Sequence, residues 1–161
     1  MNFQFKIFNF QRGQSLFELV VAIAISALII VAIVSLTTNS IQNSNFSRNK
    51  ALAATYAQEA TEWLRGQRDG DVENFINTRA PIGITPAGYC LPDLSWGHFN
   101  ANVTINCITP ISGTILRRWV TFINVGLQNG KTVVETDVVV SWTDSQGTHE
   151  VVSATNLADL R

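Results

Sequence analysis

The chain has 161 residues and carries 11 basic and 12 acidic side chains, for a formal net charge of −1. That length holds one modest domain beside a membrane segment. A near-neutral balance without a basic cluster excludes electrostatic nucleic-acid binding as the main role.

Residues 1–13 read as a leader carrying Lys6 and Arg12, set apart from the fold. The string Arg12-Gly13-Gln14-Ser15-Leu16-Phe17-Glu18-Leu19-Val20-Val21 follows. It joins a basic leader, a small residue and one carboxylate at the mouth of an apolar run. That run, Leu19 to Leu36, is 18 residues long and holds no charge. At about 1.5 Å per residue it spans roughly 27 Å, against a hydrocarbon core of roughly 30 Å. A charge at the end of such a helix is costly without a partner, so Glu18 reads as functional. A helix dipole alone makes an anion tolerable there, but it does not account for the glycine in register with it. Basic residues flank the run on both sides, Lys6 and Arg12 before it and Arg48 and Lys50 after it. The positive-inside count is therefore even, with Arg12 the charge nearest the membrane.

This constellation resembles the class III signal of type IV prepilins and related pseudopilins. The resemblance covers Arg12 to about Leu36. It implies that a prepilin peptidase cuts between Gly13 and Gln14 and that Gln14 becomes an N-methylated terminus. It makes Glu18 the fifth mature residue, an assembly group paired with the N-terminus of a neighbouring subunit. Two features depart from the family pattern. Gln14 stands where phenylalanine is usual, and no proline interrupts the apolar helix, the first being Pro81. The second inclines the reading toward a minor subunit. Without Lys6 and Arg12, nine basic and twelve acidic side chains remain, a net charge of −3.

From Gln14 to about Arg68 there is no proline, and glycine occurs only at Gly66, so one long helix is expected. Residues 14–36 form its membrane and assembly part and 37–68 its amphipathic continuation. Thr37 to Asn45 is rich in side chains that compete for the backbone, a place where the helix can bend or melt. Beyond it Phe46, Ala53, Tyr56, Ala60 and Trp63 form a stripe on one face, and Glu62 and Arg65 can pair on the other. Residues 69–118 carry all four prolines and both cysteines. They read as an irregular connector with a strand around Asn102 to Ile108.

Residues 119–161 read as an antiparallel meander. Trp119 to Leu127 is β-branched and aromatic, and Gln128-Asn129-Gly130-Lys131 is a hairpin signal. Thr132 to Trp142 alternates, placing Val134, Thr136, Val138, Val140 and Trp142 on one face. Asp144-Ser145-Gln146-Gly147 is a second turn and Glu150 to Thr155 a third strand. The expected fold is α+β: a long N-terminal helix whose second half packs on an antiparallel sheet. This is also the arrangement that the pilin resemblance implies.

The chemistry of enzymes is missing. Cys90 and Cys107 are too far apart for a redox CxxC motif. In the polar part of the chain they suit a disulfide in an oxidising space, worth about 3 kcal/mol in the chain-entropy model; two unpaired buried thiols are the alternative. Asp69-Gly70-Asp71-Val72-Glu73 opens like a calcium loop but lacks its glycine and closing glutamate. A helix stop with Asp71 capping a short following helix explains it better. His98 and His149 have no zinc spacing, and no metal or cofactor is expected. Trp63, Trp96, Trp119 and Trp142 read as core or loop anchors, with Trp96, in the connector, a candidate for touching a partner if exposed.

The resemblance thus implies a structural subunit with three expected partners: a prepilin peptidase, other pilin subunits met through the N-terminal helix, and the cytoplasmic membrane. No nucleic acid is expected. The chain is expected to cross that membrane once, with the C-terminal domain outside the cytoplasm, and then to enter a pilus or pseudopilus. The competing reading is a membrane-anchored extracytoplasmic binding module with an uncleaved anchor.

Overall fold

The computed structural model describes residues 16–80, 87–97, 99–100, 107–128 and 131–158. The chain divides into two compact units with the boundary between Asn45 and Phe46. Helix α1, Leu16–Gly70, contributes to both. In the first unit all described residues are helical. The polar stretch Thr37 to Asn45 keeps its helical conformation, so the expected weak point is not broken. Its hydroxyls bond back into the helix: Thr37 Oγ1 donates to the Ile33 carbonyl at 2.9 Å and Thr38 Oγ1 to that of Val34 at 3.0 Å. These side chains therefore satisfy themselves without unwinding the backbone.

In the second unit the remainder of α1 lies on a five-stranded antiparallel sheet. The strands are β1 Ala87–Cys90, β2 Phe99–Asn100, β3 Arg117–Gln128, β4 Lys131–Asp144 and β5 Gly147–Ala158, in the order β2-β1-β3-β4-β5. The expected meander is β3-β4-β5. Two strands were not anticipated: β1 and β2 fall in the segment read as irregular. β1 forms by pairing with β3, where Cys90 lies opposite Trp119 and Ala87 opposite Phe122, and β2 by pairing with β1, where Tyr89 lies opposite Phe99. Four residues and two residues carry too little periodicity to be read locally. Of the expected strand Asn102 to Ile108, residues 102–106 lie outside the described residues, and Cys107 and Ile108 are not in a strand. The Asn129-Gly130 turn also lies outside them, but its flanks Gln128 and Lys131 are register partners.

The core forms where helix and sheet meet. On β4 the side chains of Val134, Thr136, Val138, Val140 and Trp142 are buried, which is the face that alternation predicts. Opposite them α1 buries Ala53, Ala57, Ala60, Thr61 and Leu64. Phe46, Tyr56 and Trp63, expected on the stripe, are only partly buried at its margins. Small alanines under the axis let the helix approach the sheet, and the large rings fill the flanks. Thr61 bonds the Ala57 carbonyl at 2.9 Å and lies 3.1 Å from the Ser153 hydroxyl, so its burial leaves no polar atom stranded. A register shift between Phe122 and Asn124 changes the phase of β3. Val120 and Phe122 point to the core before it and Val125 packs there after it.

α1 ends at Gly70, and Asp71 caps the short helix α2, Val72–Asn74, its carboxylate accepting the Asn74 N–H at 3.0 Å. A single π-helical turn, Phe75–Arg79, follows. Gly97 is required by close approach: a Cβ there would overlap the Cys90 carbonyl oxygen.

Candidate functional site

The first unit presents one apolar surface. From Leu16 to Leu36 the side chains are exposed, Leu16 at 79% and Phe17 at 76%. Among the described residues, α1 is the helix long and apolar enough to cross a membrane. A soluble domain does not leave so continuous an apolar surface uncovered. Glu18 stands in the first turn of this helix, where the free backbone N–H groups favour an anion. None of the ion pairs among the described residues includes it. The run holds two polar residues, Ser26 and Ser35, neither of them charged, and Ser26 donates to the Ala22 carbonyl at 2.8 Å. Glu18 is therefore the group in this segment that calls for a partner. Gly13 and Gln14, the expected processing pair, lie outside the described residues.

In the second unit, Cys90 and Cys107 are joined as a disulfide with their Cα atoms 5.5 Å apart. It ties the end of β1 to the loop that precedes β3. Beside it lies a group that sequence reading did not single out, Arg118, only 2% exposed. Its Nε donates to the Leu91 carbonyl at 2.9 Å, and its Nη1 to the Tyr56 carbonyl at 3.0 Å and to Glu59 Oε2 at 2.9 Å. One side chain thus fastens α1, β3 and the residue after Cys90. The signal was present in the sequence. Arg118 is in phase with Val120 and Phe122, so a strand alternating with them must bury it.

Aromatic side chains gather in two places. Trp96, expected as a core or loop anchor, is half-buried. Its ring lies 4.8 Å from Trp63 and 5.0 Å from Tyr89, and its N–H donates to Gln67 at 3.0 Å. Burial raises the Tyr89 phenol above its ordinary value, and Arg79 beside it opposes the rise. Near the β4–β5 turn, His149 packs against Phe46 and Trp142 at 5.0 and 5.3 Å, with its Nε2 3.0 Å from Asp144. The backbone N–H of Gln146, and after it His149, hold the Asp144 carboxyl below its ordinary value. His98 lies outside the described residues. Among the described residues no group of three or more metal-ligating side chains converges.

The prokaryotic N-terminal methylation motif matches residues 8–34 of the chain. That span includes Gly13, Gln14 and Glu18 and most of the apolar run. The match supports a type IV pilin-family protein and a pilin- or pseudopilin-type subunit. It implies processing by a prepilin peptidase and assembly with pilins, and with the apolar helix it suggests membrane anchoring. It also suggests a structural subunit rather than an enzyme. No curated protein and no solved structure matches the chain.

Proposed function

We propose that the chain is a minor pilin-like subunit of a type IV pilus or pseudopilus. It is cut between Gly13 and Gln14 and methylated at Gln14. It waits in the cytoplasmic membrane as a single-pass protein with residues 46–161 outside the cytoplasm. Glu18 then pairs with the α-amino group of a neighbouring subunit, and the apolar helices cover one another in the filament. The observation that carries this reading is Glu18: a carboxylate in the first turn of an exposed apolar helix, without a partner among the described residues and in fixed register with Gly13. The disulfide Cys90–Cys107 supports an oxidising compartment for the second unit. The unbroken apolar helix, free of proline, supports the minor over the major subunit.

The test separates insertion from assembly. A lone charge near hydrocarbon costs up to about 3 kcal/mol on insertion scales. Glu18→Ala should therefore insert and be processed as well as wild type or better. Its loss should appear on entry into the filament, where a neighbour's α-amino group is left unpaired in a low dielectric. Comparing membrane-bound with sheared-filament fractions reads this directly. Equal incorporation of wild type and Glu18→Ala would sink the assembly role.

A further inference from the structure

Away from the apolar helix, the end of α1, the π-helical turn and the segment before β2 line a solvent-open cleft of about 130 Å³. It is lined by Gln67, Asp71, Asn74, Phe75, Arg79 and Trp96. We propose that this cleft binds a small α-amino carboxylate, with the carboxylate held by Arg79 and Gln67 and the ammonium by Asp71 and Asn74.

The donor side is preorganised. The Arg79 guanidinium carbon lies 5.1 Å from the Trp96 ring centroid, over its face, and the group also bonds Tyr89. Arg79 takes part in no ion pair among the described residues, and its Nε has no protein acceptor there. A guanidinium held by stacking presents its N–H groups as a fixed fork, which matches a carboxylate. Gln67 accepts the Trp96 N–H through Oε1 at 3.0 Å. That bond fixes the amide and leaves its NH2 group to donate. The π-helical turn places Arg79, with the Ala80 N–H bonding the Phe75 carbonyl at 2.9 Å. Single π-turns recur at functional sites.

The acceptor side is equally defined. Asp71 uses Oδ1 to cap Asn74, at 3.0 Å, and keeps a second oxygen. Asn74 adds an amide that can accept. Asp71 and Arg79 line one cleft without pairing with each other, which leaves room for a ligand carrying both charges. Glu73 lines the adjoining recess with Asp71, Asn77 and Thr78, so a dianion such as phosphate meets two carboxylates and is disfavoured. Size sets the scale. A cavity of about 150 Å³ holds benzene, with its six heavy atoms, so this cleft fits a ligand between glycine and serine. The acidic motif Asp69 to Glu73 thereby supplies one half of a charge-balanced recess.

The inference stands apart from the filament reading, and its test does not require a filament. Trp96 lines the cleft, so tryptophan fluorescence of the full chain in detergent reports occupancy. The probes are glycine, L-alanine, acetate, methylammonium and inorganic phosphate. Glycine and alanine should give a saturable change, with acetate and methylammonium each roughly tenfold weaker or worse, as the loss of a charged hydrogen-bonding group predicts. Arg79→Lys should weaken glycine by a similar factor. Asp71→Asn keeps the helix cap; it should weaken glycine likewise while sparing acetate. Four results would overturn the proposal: no saturable response, acetate binding as well as glycine, phosphate binding more tightly than glycine, or Asp71→Asn with wild-type glycine affinity.

Discussion

Replacing Arg118 by methionine tests the packing account most sharply. The substitution keeps an unbranched apolar stem in the same space, so it opens little cavity. What it removes is a buried cation and three hydrogen bonds. Two of these go to the carbonyls of Leu91 and Tyr56, and the third to Glu59, whose side chain is 49% exposed. Glu59 returns to water at small cost, and its attraction to Arg118 is screened, worth about 1 kcal/mol. The two carbonyls lose charged donors, at about 1 kcal/mol or somewhat more each. The expected loss for Arg118→Met is therefore about 3 kcal/mol, a fall in melting temperature of roughly 10 °C for a domain of this size. Glu59→Gln leaves both carbonyl bonds in place and should cost about 1 kcal/mol or less. Near-ultraviolet circular dichroism of the full chain in detergent follows both melts. The reasoning is refuted if Glu59→Gln is as damaging as Arg118→Met, or if Arg118→Met melts at or above the wild-type temperature.

Three further outcomes are expected. Gly13→Asp should accumulate as a longer membrane-bound precursor, and a mature product of wild-type mass would rule out cleavage after Gly13. Non-reducing peptide mapping under alkylating conditions should recover Cys90 and Cys107 on one linked peptide pair; Cys90→Ser together with Cys107→Ser should lower stability by about 3 kcal/mol. The depressed Asp144 carboxyl stabilises the folded chain above its ordinary value of 3.8, and that contribution is lost as pH falls through the lower folded value. The urea midpoint of wild type should thus exceed that of Asp144→Ala at about pH 5, and the gap should close in more acidic solution. A constant gap would detach Asp144 from the acid response.

Legibility in the sequence followed periodicity. The apolar run and the alternation of Val134, Thr136, Val138, Val140 and Trp142 report their own environment, so the helix, the face of β4 and the fold class were all readable. Asp71 was readable as a cap because capping is local chemistry. Strands β1 and β2 were not, since β1 is ordered by its pairing with the distant β3 and β2 in turn by β1, and neither pairing leaves a local pattern. Of the stripe expected on α1, Ala53 and Ala60 are core, Phe46, Tyr56 and Trp63 pack at its margins, and Ala57, Thr61 and Leu64 complete the buried face. Size decided this: the close approach of helix to sheet admits small side chains under the axis and leaves the rings at the flanks. Glu18 was legible because a charge beside an apolar run stands out, and Arg118 was overlooked because an arginine at a strand start looks ordinary. Trp96 was readable as an anchor, but its neighbours Trp63 and Tyr89 come from distant segments and were not.

Arg118 also bears on the order in which the second unit is fastened. Leu91 donates its N–H to the Arg118 carbonyl at 2.9 Å and accepts from the Arg118 side chain, so the residue beside Cys90 is held twice by one arginine. On the other side, Ile111 is anchored to the Leu116 carbonyl at 2.8 Å, four residues after Cys107. Neither restraint needs an oxidant. Each raises the effective concentration of one thiol near the other, which makes closure an intramolecular event with little chain left to search. The covalent link then acts as a latch on a door already shut. A chain that reaches an oxidising space late, or is reduced and then returned to an oxidant, keeps its sulfur atoms as neighbours and gives up two electrons to that oxidant without first having to find the right pairing.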